Sequence, residues 1–136
     1  WVQGCTRHCT GCFNPDTWDF DGGRLFNRRV KIQFLELARQ NKIVGFSILG
    51  GEPLQQGEDM LDLVKSMKEQ YPNKTIWMWT GYTYEYLMKH LDINMAYVLD
   101  NTDVLIDGPF VKELKDLTLP LRGSSNQRVL QLKTPI

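Results

Sequence analysis

No run of apolar residues in this sequence approaches the roughly 18 needed to cross a bilayer, so no segment reads as a membrane span. An excess of either charge is also missing. Sixteen Lys and Arg balance sixteen Asp and Glu, for a formal net charge of +0, so no overall field would draw the chain onto nucleic acid or an anionic membrane. Cysteine is absent after residue 12. The three that exist, Cys5, Cys9 and Cys12, are odd in number and lie closer together than a disulfide framework would place them. They read as reduced thiolates in a reducing compartment. The start, WVQGCTRHC, lacks the charged-then-apolar layout of a signal peptide, and the expected location is the cytoplasm. A starting methionine is lacking too. The chain opens on Trp1 as if inside an apolar strand, which leads us to expect residues upstream and one structural element outside the sequence.

What is present is enough for one core. A length of 136 residues, 42% hydrophobic and 11% aromatic, predicts a single domain spanning 1–136. After the cysteines and a polar stretch from Asn14 to Gly23, Val30, Phe34, Leu37 and Ala38 recur at helical spacing. The run from Ile43 to Leu49 is apolar and partly β-branched and stops at Gly50-Gly51, as a buried strand does. Met60, Leu61, Val64, Met67 and Tyr71 predict a second helix, and Thr75 to Trp79 a strand closing on Thr80-Gly81. Tyr84, Leu87, Met88 and Leu91 mark a short helix, and Asp103 to Asp107 a strand stopped by Gly108-Pro109. A weak helix from Phe110 to Leu117 and a last strand from Gln127 to Leu132 complete the pattern.

Strict alternation of strand and helix predicts the α/β class, with parallel βαβ units and right-handed crossovers. Four or five strands cannot close an eight-stranded barrel, which needs about 250 residues, so the expectation is a partial barrel or an open curved sheet. Its site would lie at the carboxyl ends of the strands, where the loops after residues 3, 49, 79 and 107 gather.

The motif Cys5-x3-Cys9-x2-Cys12 puts three thiolates on one tight loop, each able to hold one iron of a cubane cluster. No fourth cysteine is available, so one iron would stay open to a small molecule with an amine and a carboxylate. The alternative is a zinc site completed by His8 or His90, although such sites usually join two short two-ligand hooks. The turn Gly50-Gly51-Glu52-Pro53 follows a strand and leads into a helix. Glycines let backbone carbonyls approach a cationic amino group, and the absence of a following Gly-Lys-Ser/Thr excludes a phosphate loop.

The C-x3-C-x2-C loop and the GGEP turn, in this order, resemble the radical S-adenosylmethionine superfamily. That resemblance implies a 4Fe–4S cluster held by Cys5, Cys9 and Cys12, with S-adenosyl-L-methionine on the open iron. It further implies reductive cleavage of the cofactor to a 5′-deoxyadenosyl radical that takes a hydrogen atom from the substrate. Gly11-Cys12-Phe13-Asn14-Pro15, Trp79-Thr80-Gly81-Tyr82-Thr83, Asp107-Gly108-Pro109-Phe110 and Arg122-Gly123-Ser124-Ser125-Asn126-Gln127-Arg128 are similar to the activating proteins of anaerobic ribonucleoside-triphosphate reductase.

This narrower resemblance implies an iron–sulfur oxidoreductase whose substrate is a glycine of the large reductase subunit, converted to a glycyl radical. It also implies a flavodoxin or thioredoxin-type reductant. By position it assigns cofactor contacts to Phe13, Asn14, Gly50, Gly51, Glu52, Pro53, Thr80, Gly81, Tyr82, Asp107, Ser124, Asn126 and Arg128. Arg122 and Arg128 could equally grip the partner protein. Activation of another glycyl-radical enzyme, of the pyruvate formate-lyase type, or a non-catalytic zinc or iron–sulfur protein, are the competing functions. Two positions depart from the pattern. Gly11 precedes the last cysteine where many superfamily members carry an aromatic, and Leu121 stands where the narrower family often has one.

Overall fold

The computed structural model describes residues 1–133. Its elements run α1 (Arg28–Leu37), β1 (Gly45–Ile48), α2 (Glu58–Gln70), β2 (Thr75–Trp79), α3 (Tyr84–Lys89), α4 (Ile93–Asp100), β3 (Val104–Asp107) and β4 (Arg128–Gln131). The strands form one sheet in the order β1-β2-β3-β4. β1, β2 and β3 are mutually parallel, with Phe46 opposite Ile76 and Met78 opposite Leu105.

β4 differs from the expected all-parallel pattern, since it pairs antiparallel with β3, Asp107 standing opposite Arg128. The cause is the connection. A parallel return needs a long crossover, usually a helix, and the helix expected over Phe110 to Leu117 shrinks to a 3-10 turn, Lys112–Leu114. Beyond it Asp116 accepts from the N–H of Thr118 at 3.0 Å and from its hydroxyl, a local turn that competes with helix formation. The chain therefore comes back beside β3 in the opposite sense.

The core lies between the sheet and its helices. Met60, Val64 and Met67 of α2 meet Phe46, Ile48, Ile76, Met78 and Leu105 of the strands, with Leu87, Val98 and Leu99 closing the space. Truncating one of these side chains to alanine would cost about 2–5 kcal/mol. All four residues of β3 are buried, as befits a strand covered on both faces.

α1 packs differently from its periodicity. Leu35 and Ala38 are buried, whereas Val30, Phe34 and Leu37 stay exposed. The helix sits at the β1 border, where the Phe34 ring meets Phe46 at 5.9 Å and Phe26 at 6.2 Å, so its apolar stripe straddles the rim. α4 is an element that the sequence pattern did not yield. Its residues, INMAYVLD, are apolar nearly all round, which leaves no period to detect. It starts where the Asp92 carboxylate caps the N–H of Met95 at 2.8 Å.

Candidate functional site at the carboxyl edge of the sheet

The first four residues extend the sheet beside the end of β1. Val2 N–H donates to Leu49 O at 2.7 Å, Gly51 N–H donates to Val2 O at 2.9 Å, and Glu52 N–H donates to Gly4 O at 2.9 Å. This contact explains the paired glycines. A Cβ on Gly51 would stand 2.4 Å from Gly4 O and 2.8 Å from Thr17 O, and one on Gly50 would stand 2.5 Å from Val2 O. The room that missing side chains leave is thus filled by the backbone that delivers the cysteines. Among the described residues, the carbonyls of Gly50 and Gly51 accept no backbone hydrogen bond.

The cysteine loop is then draped along the strand ends. Its base is tied by Gly4 N–H to Thr17 O at 2.7 Å and Cys5 N–H to Trp18 O at 3.0 Å. Cys5, Cys9 and Cys12 are free thiols of intermediate exposure. Cys12 N–H donates to Cys9 O at 3.0 Å, and Asn14 N–H points at Cys12 Sγ at 3.3 Å, a contact that steadies a thiolate. Asn14 otherwise acts through its carbonyl, which receives the Thr17 hydroxyl at 2.6 Å. Phe13 is half exposed and tilts against Phe110 at 4.8 Å, joining the far end of the loop to the segment after β3.

Glu52 is the hub of the next strand ends. It is 1% exposed. One carboxylate oxygen accepts from Leu54 N–H at 3.1 Å and from the Thr80 hydroxyl at 2.8 Å, and the other accepts from Gly81 N–H at 2.6 Å. Burial pushes its pKa above the ordinary carboxylate value, opposed by these bonds and by the nearby Arg7 charge. The carboxylate thus staples the end of β1 to the end of β2. Pro53 is buried and opens the 3-10 turn Pro53–Gln55.

Two residues that the motifs did not mark complete this part. Gln55 receives Thr6 N–H at 2.9 Å and donates to the Thr6 hydroxyl at 2.7 Å and to the Tyr82 phenol at 2.8 Å. Arg7, between the first two cysteines, lies over Gly81 and holds its guanidinium 4.7 Å from the centre of the Tyr82 ring. Its position inside the ligand loop was the available signal. Tyr82 in turn stacks on Tyr86 at 5.1 Å and Tyr86 on His90 at 4.0 Å.

Asp107, at the end of β3, is fully buried. It accepts from Arg128 Nε at 3.0 Å, from Arg128 Nη2, and from Tyr84 N–H at 2.8 Å. Arg128 also grips Glu85 through Nη1 at 3.0 Å and Nη2 at 2.8 Å. Ser124 is buried with its hydroxyl receiving Val111 N–H at 3.2 Å, and Asn126 donates to Pro109 O at 2.7 Å. The structure therefore joins the cysteine loop, Gly50 to Pro53 and Thr80 to Tyr82 in one network. Asp107 and Arg128 adjoin it through Tyr84, while Ser124 and Asn126 knit the loop before β4 to the segment after β3.

The donor set, three thiols on one loop, suits an iron–sulfur cluster. Among the described residues no three His, Cys, Asp or Glu side chains gather as the ligands of one ion would. Each thiolate of a cubane binds its own iron, so three can stand apart on one loop. The imidazoles that zinc would recruit are held elsewhere, His8 stacked on Trp18 at 4.3 Å and His90 on Tyr86. Arg7 Nε–H is buried and, among the described residues, has no hydrogen-bond partner.

Comparison with known proteins agrees on the class. Residues 1–130 match the family described as a 4Fe-4S single cluster domain. The chain is 39% identical over 136 residues to the anaerobic ribonucleoside-triphosphate reductase-activating protein of Escherichia coli K12, covering 97% of this chain and 86% of that protein. The protein of the same name from Haemophilus influenzae is 38% identical over 97% of this chain and 85% of its own length. That of Enterobacteria phage T4 is 38% identical over 94% and 79%. No solved structure matches the chain. The chain belongs to the anaerobic ribonucleoside-triphosphate reductase-activating protein family.

Proposed function

We propose that this protein holds a 4Fe–4S cluster on Cys5, Cys9 and Cys12 and uses S-adenosyl-L-methionine to place a glycyl radical on the large subunit of an anaerobic ribonucleoside-triphosphate reductase. The observation that carries the reading is the loop of three half-buried thiols lying against the Gly50-Gly51-Glu52-Pro53 turn at the carboxyl edge of the sheet, in a chain of this family. When bound, the cluster and cofactor supply a 5′-deoxyadenosyl radical that takes a hydrogen atom from the target glycine.

The remaining work falls to the chain. Gly50 and Gly51 dock the cysteine loop and leave their carbonyls to receive an ammonium group. Glu52 fixes the first two strand ends, so that Thr80, Gly81 and Tyr82 stand beside the loop. Phe13 and Phe110 shield it on the other side. The open, four-stranded sheet is read as a partial radical S-adenosylmethionine barrel of one domain, whose open side admits a polypeptide loop. The electron comes from a flavodoxin or thioredoxin-type reductant in the cytoplasm.

Anaerobic reconstitution with iron and sulfide tests this reading. A brown protein is expected, with a reduced EPR signal that changes when S-adenosylmethionine is added. Cys5→Ala, Cys9→Ala and Cys12→Ala should each abolish 5′-deoxyadenosine formation. A colourless zinc protein, or a signal indifferent to the cofactor, would sink the idea. A glycyl-radical doublet appearing on pyruvate formate-lyase alone would reassign the target.

A further inference from the structure

We propose that Arg7 binds the carboxylate of the cofactor's amino-acid moiety, its guanidinium being held between Gly81 and Tyr82 with one N–H buried and unpaired. The inference rests on the functional reading above and concerns a residue that no motif marks.

Three observations converge on Arg7. Its stem passes where a side chain at position 81 would stand: a Cβ on Gly81 would lie 2.6 Å from both Cδ and Nε of Arg7. Glycine at this strand end therefore makes a berth for the arginine. The guanidinium then lies over the Tyr82 ring at 4.7 Å, and the phenol of that ring is anchored by Gln55 at 2.8 Å. An arginine held at stem and head has lost most of its rotamer freedom before any ligand arrives, which is the condition for a specific anion site.

The third observation is that its bonding is unfinished. Nε is buried without a hydrogen-bond partner. A buried donor left unpaired is destabilising, so such groups call for an explanation. Glu52 is the nearby carboxylate, and its oxygens receive Leu54 N–H, the Thr80 hydroxyl and Gly81 N–H rather than Arg7. Among the described residues Arg7 makes no ion pair, whereas Arg128 at the other end of the edge makes two.

A cation placed between Cys5 and Cys9, fixed by the end of β2 and lacking a partner, suits a ligand carboxylate beside the cluster loop. A planar fork matches two carboxylate oxygens, and such charge-assisted bonds are about twice as strong as neutral ones. Arg7 would thus recognise the one part of the cofactor that distinguishes an amino acid from an amine.

The test compares anaerobic binding of S-adenosylmethionine and of its decarboxylated analogue to cluster-loaded wild type, Arg7→Met and Arg7→Lys, by equilibrium dialysis, with iron content measured alongside. For Arg7→Met the expected result is a loss of about tenfold or more in affinity for S-adenosylmethionine, with affinity for the analogue changed less than about twofold and iron unchanged. Arg7→Lys, which keeps the charge and loses the fork, should fall between. Equal weakening for both ligands, no weakening, or a loss of iron in both variants would overturn the proposal and make Arg7 a prop for the loop. Cluster-loaded wild type that binds no S-adenosylmethionine would instead sink the functional reading beneath it.

Discussion

Two carboxylates are buried at the same edge of the sheet, Glu52 after β1 and Asp107 at the end of β3, and they are handled in opposite ways. Asp107 receives a full cation: Arg128 donates to both of its oxygens and Tyr84 N–H adds a third bond. Glu52 receives only neutral donors, from Leu54, Thr80 and Gly81. The Asp107 side is therefore neutralised and closed, and it binds β3, β4 and the start of α3 together. The Glu52 side stays electrostatically unfinished, with burial raising the pKa of the carboxylate and the Arg7 charge standing by, among the described residues, without an ion pair. That unfinished side is the one against which the cysteine loop lies. Charge is compensated where the edge is structural and left over where a charged ligand is proposed to enter.

The largest expected effect breaks the closed side. Arg128→Met removes the only cation on Asp107 among the described residues and leaves a fully buried carboxylate with one backbone N–H. The loss should be about 3 kcal/mol, read from the denaturant midpoint. A loss below about 0.5 kcal/mol would mean that Asp107 does not depend on its cation, and the contrast with Glu52 would collapse.

Glu52→Gln probes the open side and should cost less, about 1–2 kcal/mol, since one of three neutral bonds is replaced by an opposed pair of donors. Its pH dependence carries the sign. Folded Glu52 holds its proton more tightly than the unfolded chain, whose value is near 4.5. Its contribution is therefore complete below that value and is lost as pH rises through the higher folded one. The stability advantage of wild type over Glu52→Gln should shrink across this interval and then level. An advantage that grows with pH there would show that Glu52 is paired with a cation after all.

The contrast was only half visible in the sequence. The cysteine spacing and the GGEP turn were legible because both are local: their residues are adjacent along the chain, and strand ends β1 to β3 follow from short apolar runs stopped by glycine. The role of the glycines was not, because Gly51 is required by Gly4 O, a backbone atom brought close only by folding. Arg7 was equally hidden, since its ring partner and its berth come from residues 81 and 82. β4 was found as a strand, but its direction depends on a connection whose helix fails between Pro109 and Pro120. α4 escaped because periodicity cannot mark a helix that is apolar on most sides. Motifs mark the candidate site, and long-range contacts decide which of its charges are paired.

The smallest effect sharpens the comparison most. Glu85 is the outer member of the Arg128 cluster, with a side chain 64% exposed. The Arg128 hydrogen bonds hold its pKa below the ordinary carboxylate value, so its contribution exists above that value and fades as pH falls through the lowered one. Exposure, however, lets water and salt screen the pair, and bonds of this kind contribute little to folding. Glu85→Gln should leave the unfolding midpoint unchanged at physiological salt, and any shift at low salt should vanish as salt is added. Arg128 would still hold Asp107 through Nε and Nη2. A salt-resistant loss matching that of Arg128→Met would mean that the three charges act as one unit. Burial of Asp107 would then cease to be what separates the closed side of the edge from the open one.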